Sequence, residues 1–374
     1  MSEYQYYEFQ AIDRPLNEAD RVALRALSTR ARITATSFTN HYEWGDFKGE
    51  PRRLMERWFD LHMYLTNWGT RRLMMRLPKR LVKRSNLEAF LLDVEWVEVG
   101  EMGGNLILDM YRDEVEQDYD VWDDGSGWLG ALAPLRADVL SGDLRLFYLM
   151  WLTALEDGML DADETEPLAG IGPLTGALNA AAEFFDIDRD LVEAAVERTD
   201  GAEQAVPEGV LHDVITELSE TEKTDLLKRV VDGDPHVAAE LKQSARTGNA
   251  GPVADLRTVA DLQARAAALC RERQRAEAER LSEERRRREE EAEGAHRKRL
   301  DALVQRGEAV WTEIEADIAR RNATGYDRAA ALLLDLKTIA NERGTATDFA
   351  HRLDAIRDRH ARKKRLIEQL KALT

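Results

Sequence analysis

Residues 3–12, EYQYYEFQAI, alternate polar and apolar in the manner of a half-buried strand, with a slip at Tyr6-Tyr7 that reads as a bulge. RPLNEADRVALRALS follows as a turn and a helix, with Asn17 placed to cap it. RARITATSFTNHYEW reads as one or two strands, and Trp44-Gly45-Asp46-Phe47-Lys48-Gly49 as a loop. From Pro51 a helical period takes over. Leu54, Trp58, Leu61, Leu65 and Trp68 share one face of a helix expected to reach Leu77. VEWVEVGEMGGNLILDMYRDE then reads as a hairpin through Gly103-Gly104. This mixture predicts a small α+β domain over 1–127.

From Leu129 the period is helical. LRLFYLMWLTAL, 144–155, is apolar nearly all round and predicts a buried helix stopped at Asp157-Gly158. Residues 174–198 read as two helices broken near Asp186–Asp188, Leu211–Val231 as one more, and Pro235 as the start of another. These make an acidic helical domain over 128–247, followed by a linker over 248–258, GNAGPVADLRT. A charged helical pattern then runs from Val259 to about Arg321, weakened only at Gly294 and Gly307. The pattern alone leaves open whether it is one rod or folds back. Leu300, Val304, Trp311, Ile314 and Ile318 keep to one face, Tyr326–Arg343 forms a second helix ending at Gly344, and Thr345 with Asp348 resembles a capping box before a third. The expected fold is mainly α with a small N-terminal α+β domain. A long charged helix or coiled-coil segment over 259–299 leads to a C-terminal helical hairpin or bundle over 300–374.

Charge changes this picture in two places. Lys/Arg against Asp/Glu number 16 to 14 over residues 1–100, 10 to 34 over 101–250, and 27 to 23 over 251–374, so the net charge of -18 sits in the middle of the chain. Within Arg271–Gly294, eight Arg face nine Glu. Polyanion binding needs net positive charge. The heptad line Leu262, Leu269, Ala276 reaches Glu283 and loses its seam, so a charge-stabilised single helix or spacer is favoured over a coiled coil. Arg71, Arg72, Arg76, Lys79, Arg80, Lys83 and Arg84 form the strongest basic run and the candidate nucleic-acid contacts. The seven acids of 113–124, DEVEQDYDVWDD, are the alternative partners for that run.

No catalytic or cofactor motif stands out. There is no G-x-S-x-G, no Walker loop and no G-x-G-x-x-G, and the seven His never form H-x-x-x-H. His62 is expected as a packed residue on the Trp58 helix. Asp118, Asp120, Asp123 and Asp124 miss the calcium-loop spacing, as do Asp157, Asp161, Asp163 and Glu164, so neither metal nor cofactor is assigned. A lone cysteine, Cys270, excludes a disulfide framework and fits a reducing cytoplasm. No apolar stretch reaches membrane-spanning length.

YYEFQAIDRPL, HYEWGDFKGEPRRLMERWFD and NWGTRRLMMRLPKRL, with DLRLFYLMWLTALEDGMLD, resemble a widespread family of uncharacterised bacterial proteins. The segment EDGMLDADE resembles the acidic helix-end motif of TerB-like helical domains. The end of the chain, from YDRAAALLLDLKTIANERG onward, is similar to the helical tail of bacterial SWIM zinc-finger proteins, whose zinc motif is absent here. These resemblances imply a docking module and transfer no functional residue. The sequence therefore points to a cytoplasmic, non-enzymatic scaffold that spaces and docks protein partners, with Trp311, Leu332, Leu336 and Phe349 as docking residues and a homodimer as one form. A nucleic-acid-associated protein is the alternative, and an enzyme of unknown class the third.

Overall fold

The structure, a computed structural model, describes residues 3–91, 94, 96–113, 115, 123–198, 208–248 and 255–371. Its first seven strands are β1 (Gln5–Gln10), β2 (Arg32–Ile33), β3 (Ser37–Tyr42), β4 (Leu61–Thr66), β5 (Arg71–Pro78), β6 (Val97–Met102) and β7 (Asn105–Arg112). They form one antiparallel sheet in the order β2-β3-β1-β4-β5-β7-β6. The chain is 59% helical, and with this sheet it is α+β. The expectation of a mainly α chain is thereby overturned.

The misplaced segment is 51–77. Only α2 (Pro51–Arg57) is helical there, and β4 and β5 follow as a hairpin. Leu61, Met63 and Leu65 pack on one face of the sheet and His62 is buried on the other. A strand buried on both faces reads as a continuous apolar run, which mimics a helical stripe. Asn67-Trp68-Gly69-Thr70 makes the turn, with Gly69 at φ +98°. The bulge expected at Tyr6-Tyr7 is absent, since Tyr6 pairs with His41 and Tyr7 with Asn40 in unbroken register.

The sheet is the middle layer. On one face Leu73, Met75, Leu108 and Met110 share a core with helices α4 (Trp128–Leu132), α5 (Pro134–Leu140), α6 (Arg145–Glu156), α7 (Gly176–Phe184) and α8 (Arg189–Val196). On the other face Phe9, Phe38, Met74 and Ile107 meet α1 (Glu18–Leu27), capped by Asn17, and α2. Side chains from both sides of residue 127 thus lie in one core. Helix α3 (Arg84–Leu91) packs on α6 through Leu87 and Phe90. The single helix expected over 211–231 is two, α9 (Glu208–Glu217) and α10 (Glu220–Val231). Ser219 and Glu222 form a capping box that starts the second. Helix α11 (Val237–Gly248) follows.

Helix α12 (Val259–Arg306) is continuous through Gly294 and stops at Gly307, whose φ of +51° no longer fits a helix. The chain divides into two compact units, Met1–Arg273 and Gln274–Thr374, and the division falls inside α12. In the first unit Leu262, Ala266 and Leu269 of α12 join the sheet's core. In the second, Leu300 and Leu303 pack with α13 (Glu308–Ala319), α14 (Ala323–Arg343), α15 (Ala346–Arg359) and α16 (Lys364–Lys371). Gly344, left-handed, ends α14 as expected, whereas Thr345 makes no side-chain cap hydrogen bond.

Candidate interaction surfaces

Strand alternation decides the fate of the basic run. Arg71 is buried and its Nη1 lies 3.2 Å from Asp123 Oδ2. Arg72 donates to both carboxylate oxygens of Asp109, at 2.7 and 2.5 Å. Arg76 Nη2 donates to Asp60 at 2.7 Å. Lys79 pairs with Glu101, Arg80 with Asp234 and Glu240, and Arg84 with Glu88. Lys83 is exposed and makes no ion pair among the described residues. Six of the seven cations are thus neutralised by carboxylates among the described residues, where Asp123 is the one partner from 113–124; Glu114, Glu116, Asp118 and Asp120 of that segment lie outside the described residues. A phosphate would have to compete with each of these carboxylates.

The paired charges cement the first unit. Asp60, fully buried, accepts from the backbone N–H groups of Ile12 and Asp13 and from Arg76, with Arg136 Nη2 at 3.5 Å. Arg136 grips both oxygens of Asp13 at 2.9 and 2.7 Å, and His236 Nε2 lies 3.1 Å from the same carboxylate. Burial pushes the Asp13 carboxyl up, but the hydrogen bonds from His236 and Arg136 outweigh it and hold the carboxyl well below its ordinary range. Glu166, also fully buried, accepts from Tyr148 at 2.6 Å and from Arg257 at 2.8 Å. Burial and the Glu166 charge keep the Tyr148 hydroxyl protonated. Every one of these groups has its partners, so the networks are structural in character. Among the described residues no cluster of three His, Cys, Asp or Glu could hold a metal ion; Asp118 and Asp120 lie outside the described residues.

His62 lies on β4, not on a helix, and stacks on Phe9 at 3.8 Å between ring centroids. Its Nδ1 donates to the Glu8 carbonyl at 2.9 Å, while its buried Nε2 has no partner. Burial pulls its pKa down to about 3.

Along α12, every residue from Arg271 to Arg299 is exposed except the half-exposed Glu284. Glu284 pairs with Arg288 in the favourable order, Arg286 with Glu290, and Arg287 with Glu291 rather than with Glu283. The named docking residues of the second unit lie in or against its own core. Phe349 is buried and packs at a tilt against Trp311, 6.0 Å between ring centroids, Arg352 covers the Trp311 ring at 5.1 Å, and Leu332 and Leu336 are partly buried. Sequence reasoning placed Trp44-Gly45 in a loop but passed over the turn at Trp68-Gly69 and the pairing of the two. Both turns leave the indole in solvent. The repeated Trp-Gly dipeptide was the available signal.

Among the described residues no helix is long and apolar enough to cross a membrane. No protein-family model, curated protein or solved structure matches the chain.

Proposed function

We propose that this is a non-enzymatic interaction protein in which α12 acts as a spacer between two docking units. The observation that carries the reading is the exposure of residues 271–299 all round a continuous helix whose ends are each built into a core. None of these residues is buried, and their ties to the two units are ion pairs near the ends: Arg273 with Asp190, and Arg297 and Arg299 with Glu342 and Asp335. A helix that is polar on all sides gains its stability from propensity and i,i+4 pairs, each about 0.3–0.5 kcal/mol. What such a stretch supplies is stiffness and length, about 44 Å at 1.5 Å per residue. Leu281 is its single large apolar residue, too little for a coiled-coil seam.

The partners on this reading are proteins. Charge nearly cancels along Arg271–Gly294, and the run at 71–84 is occupied by carboxylates, so neither offers the net positive charge a nucleic acid selects. The lone Cys270 fits a reducing compartment, and we take the site of action to be the cytoplasm. The test is affinity purification of the full chain from its host with cross-linking mass spectrometry. Distinct partners cross-linked to the first and second units, and none to 274–299, are expected. No reproducible partner, or cross-links concentrated on the exposed helix, would overturn the spacer role.

A further inference from the structure

We propose that the end of the sheet bearing Trp44 and Trp68 is a docking surface for an arginine- or lysine-bearing segment of a protein partner. Trp44 and Trp68 are 77% and 48% exposed, among the largest apolar side chains the first unit leaves in water. They stand at the same end of the sheet. Tyr42 and Thr66, which close β3 and β4, both pair with Gln5 at the start of β1, and each tryptophan follows two residues later. With neighbouring strands about 4.8 Å apart, the two turns spring from strands about 10 Å apart, close to the width of one peptide segment.

The turns are fixed rather than loose. Gly45 and Gly69, at φ +78° and +98°, let the chain reverse directly after each indole. Asn67 exchanges hydrogen bonds with the Tyr4 backbone at 2.9 and 3.1 Å, and Thr66 Oγ1 accepts from the Thr70 N–H at 2.9 Å. Gln5 Nε2 donates to Asp46 at 3.2 Å and holds the other turn. Each indole is thus presented from a fixed backbone, so little backbone entropy is lost when it anchors a partner.

Charge selects the occupant. Glu3, Glu43, Asp46, Asp113 and Asp124 are exposed at this end and make no ion pair among the described residues; Lys48 is the one exposed lysine beside them. Asp113 accepts from Thr70 beside Trp68, and the Asp124 carbonyl accepts from Tyr4. Elsewhere the protein sets a guanidinium over an indole, Arg57 on Trp58 at 4.5 Å and Arg352 on Trp311 at 5.1 Å. Among the described residues neither Trp44 nor Trp68 has such a cation. An incoming Arg or Lys would meet both an indole face and a carboxylate. The same carboxylates repel nucleic acid and anionic bilayers.

The surface belongs wholly to Met1–Arg273. It rests on the interaction-protein reading but not on the spacer role of α12, so the two fail separately. The test titrates the full chain into a fluorescein-labelled nonapeptide of alternating arginine and leucine, followed by anisotropy. Binding by the native chain is expected, weakened at least tenfold in the Trp44→Ala/Trp68→Ala variant, whose charge is unchanged. Weaker binding is also expected for Glu43→Gln/Asp46→Asn and for the citrulline peptide. Unchanged melting confirms that the variants fold. No binding by the native chain, or equal binding by the tryptophan variant, would overturn the proposal. So would tryptophan-dependent sedimentation with phosphatidylcholine–phosphatidylglycerol vesicles, which would assign this end to a bilayer.

Discussion

Asp60 shows how much the first unit depends on single buried charges. Its fully buried carboxylate answers two backbone N–H groups and the partly buried Arg76, with the buried Arg136 beside it. Asp60→Ala strands those donors and is expected to cost about 3–5 kcal/mol. Urea unfolding followed by tryptophan fluorescence measures this, because seven of the eight Trp precede Arg273. His62 makes a pH prediction. The ordinary histidine pKa is 6.5, and burial lowers it to about 3 in the fold. Above 6.5 both states are neutral and the group contributes no slope. Between about 6.5 and about 3 only the unfolded chain takes the proton, so stability falls as pH drops, by up to about 1.4 kcal/mol per pH unit. The unfolding free energy of His62→Gln should fall less steeply across that window, and a parallel slope would contradict the assignment. The packing of His62 was expected, but on a helix rather than a strand, and the role of Asp60 was not legible. Asp60 and His62 are single letters in an apolar run, and their burial follows from strand pairing with residues tens of positions away.

Elements were legible where a local signal marked their ends. Asn17, Gly103-Gly104 and Gly344 each act in the structure as their chemistry predicts. The helix drawn through 51–77 failed because periodicity cannot separate a helical stripe from a strand buried on both faces, and the deciding turn at Trp68-Gly69 was counted as part of the stripe. The basic run shared the same fault. On a helix its cations would have shared a face; on β5 Arg72 and Arg76 point to the face of the sheet that carries Asp60 and Asp109. Two glycines test the account of α12. Gly294 is helical and an added methyl meets nothing within 4 Å, so Gly294→Ala should stabilise the helix by up to about 1 kcal/mol. Gly307 sits at φ +51°, ψ −124°, and Gly307→Ala should cost about 1–3 kcal/mol through backbone strain, despite equally open space. Hydrogen exchange on either side of each position distinguishes the two.

At the scale of the molecule, the division of labour follows from where apolar side chains run out. Leu269 is the last buried α12 residue of the first unit and Leu300 the first of the second, and between them the sequence offers charge and one leucine. The polarity of that interval was legible, whereas its continuity was left open, because cancelled charge without a seam does not by itself separate a single rod from a folded-back pair. The extent of the sheet and its shared core with the helices after residue 127 were not legible, since seven strands that pair out of sequence order leave no local mark. The central claim is that residues 271–299 form a self-supporting rigid helix. Electron–electron spin distances between labels at Arg275→Cys and His296→Cys, in a Cys270→Ser background of the full chain, test it most directly. A narrow distribution near about 32 Å, unchanged on dilution with unlabelled chain, is the expected result. A broad or much shorter distribution, or additional distances that vanish on dilution, would contradict the spacer and point instead to a folded-back or paired helix.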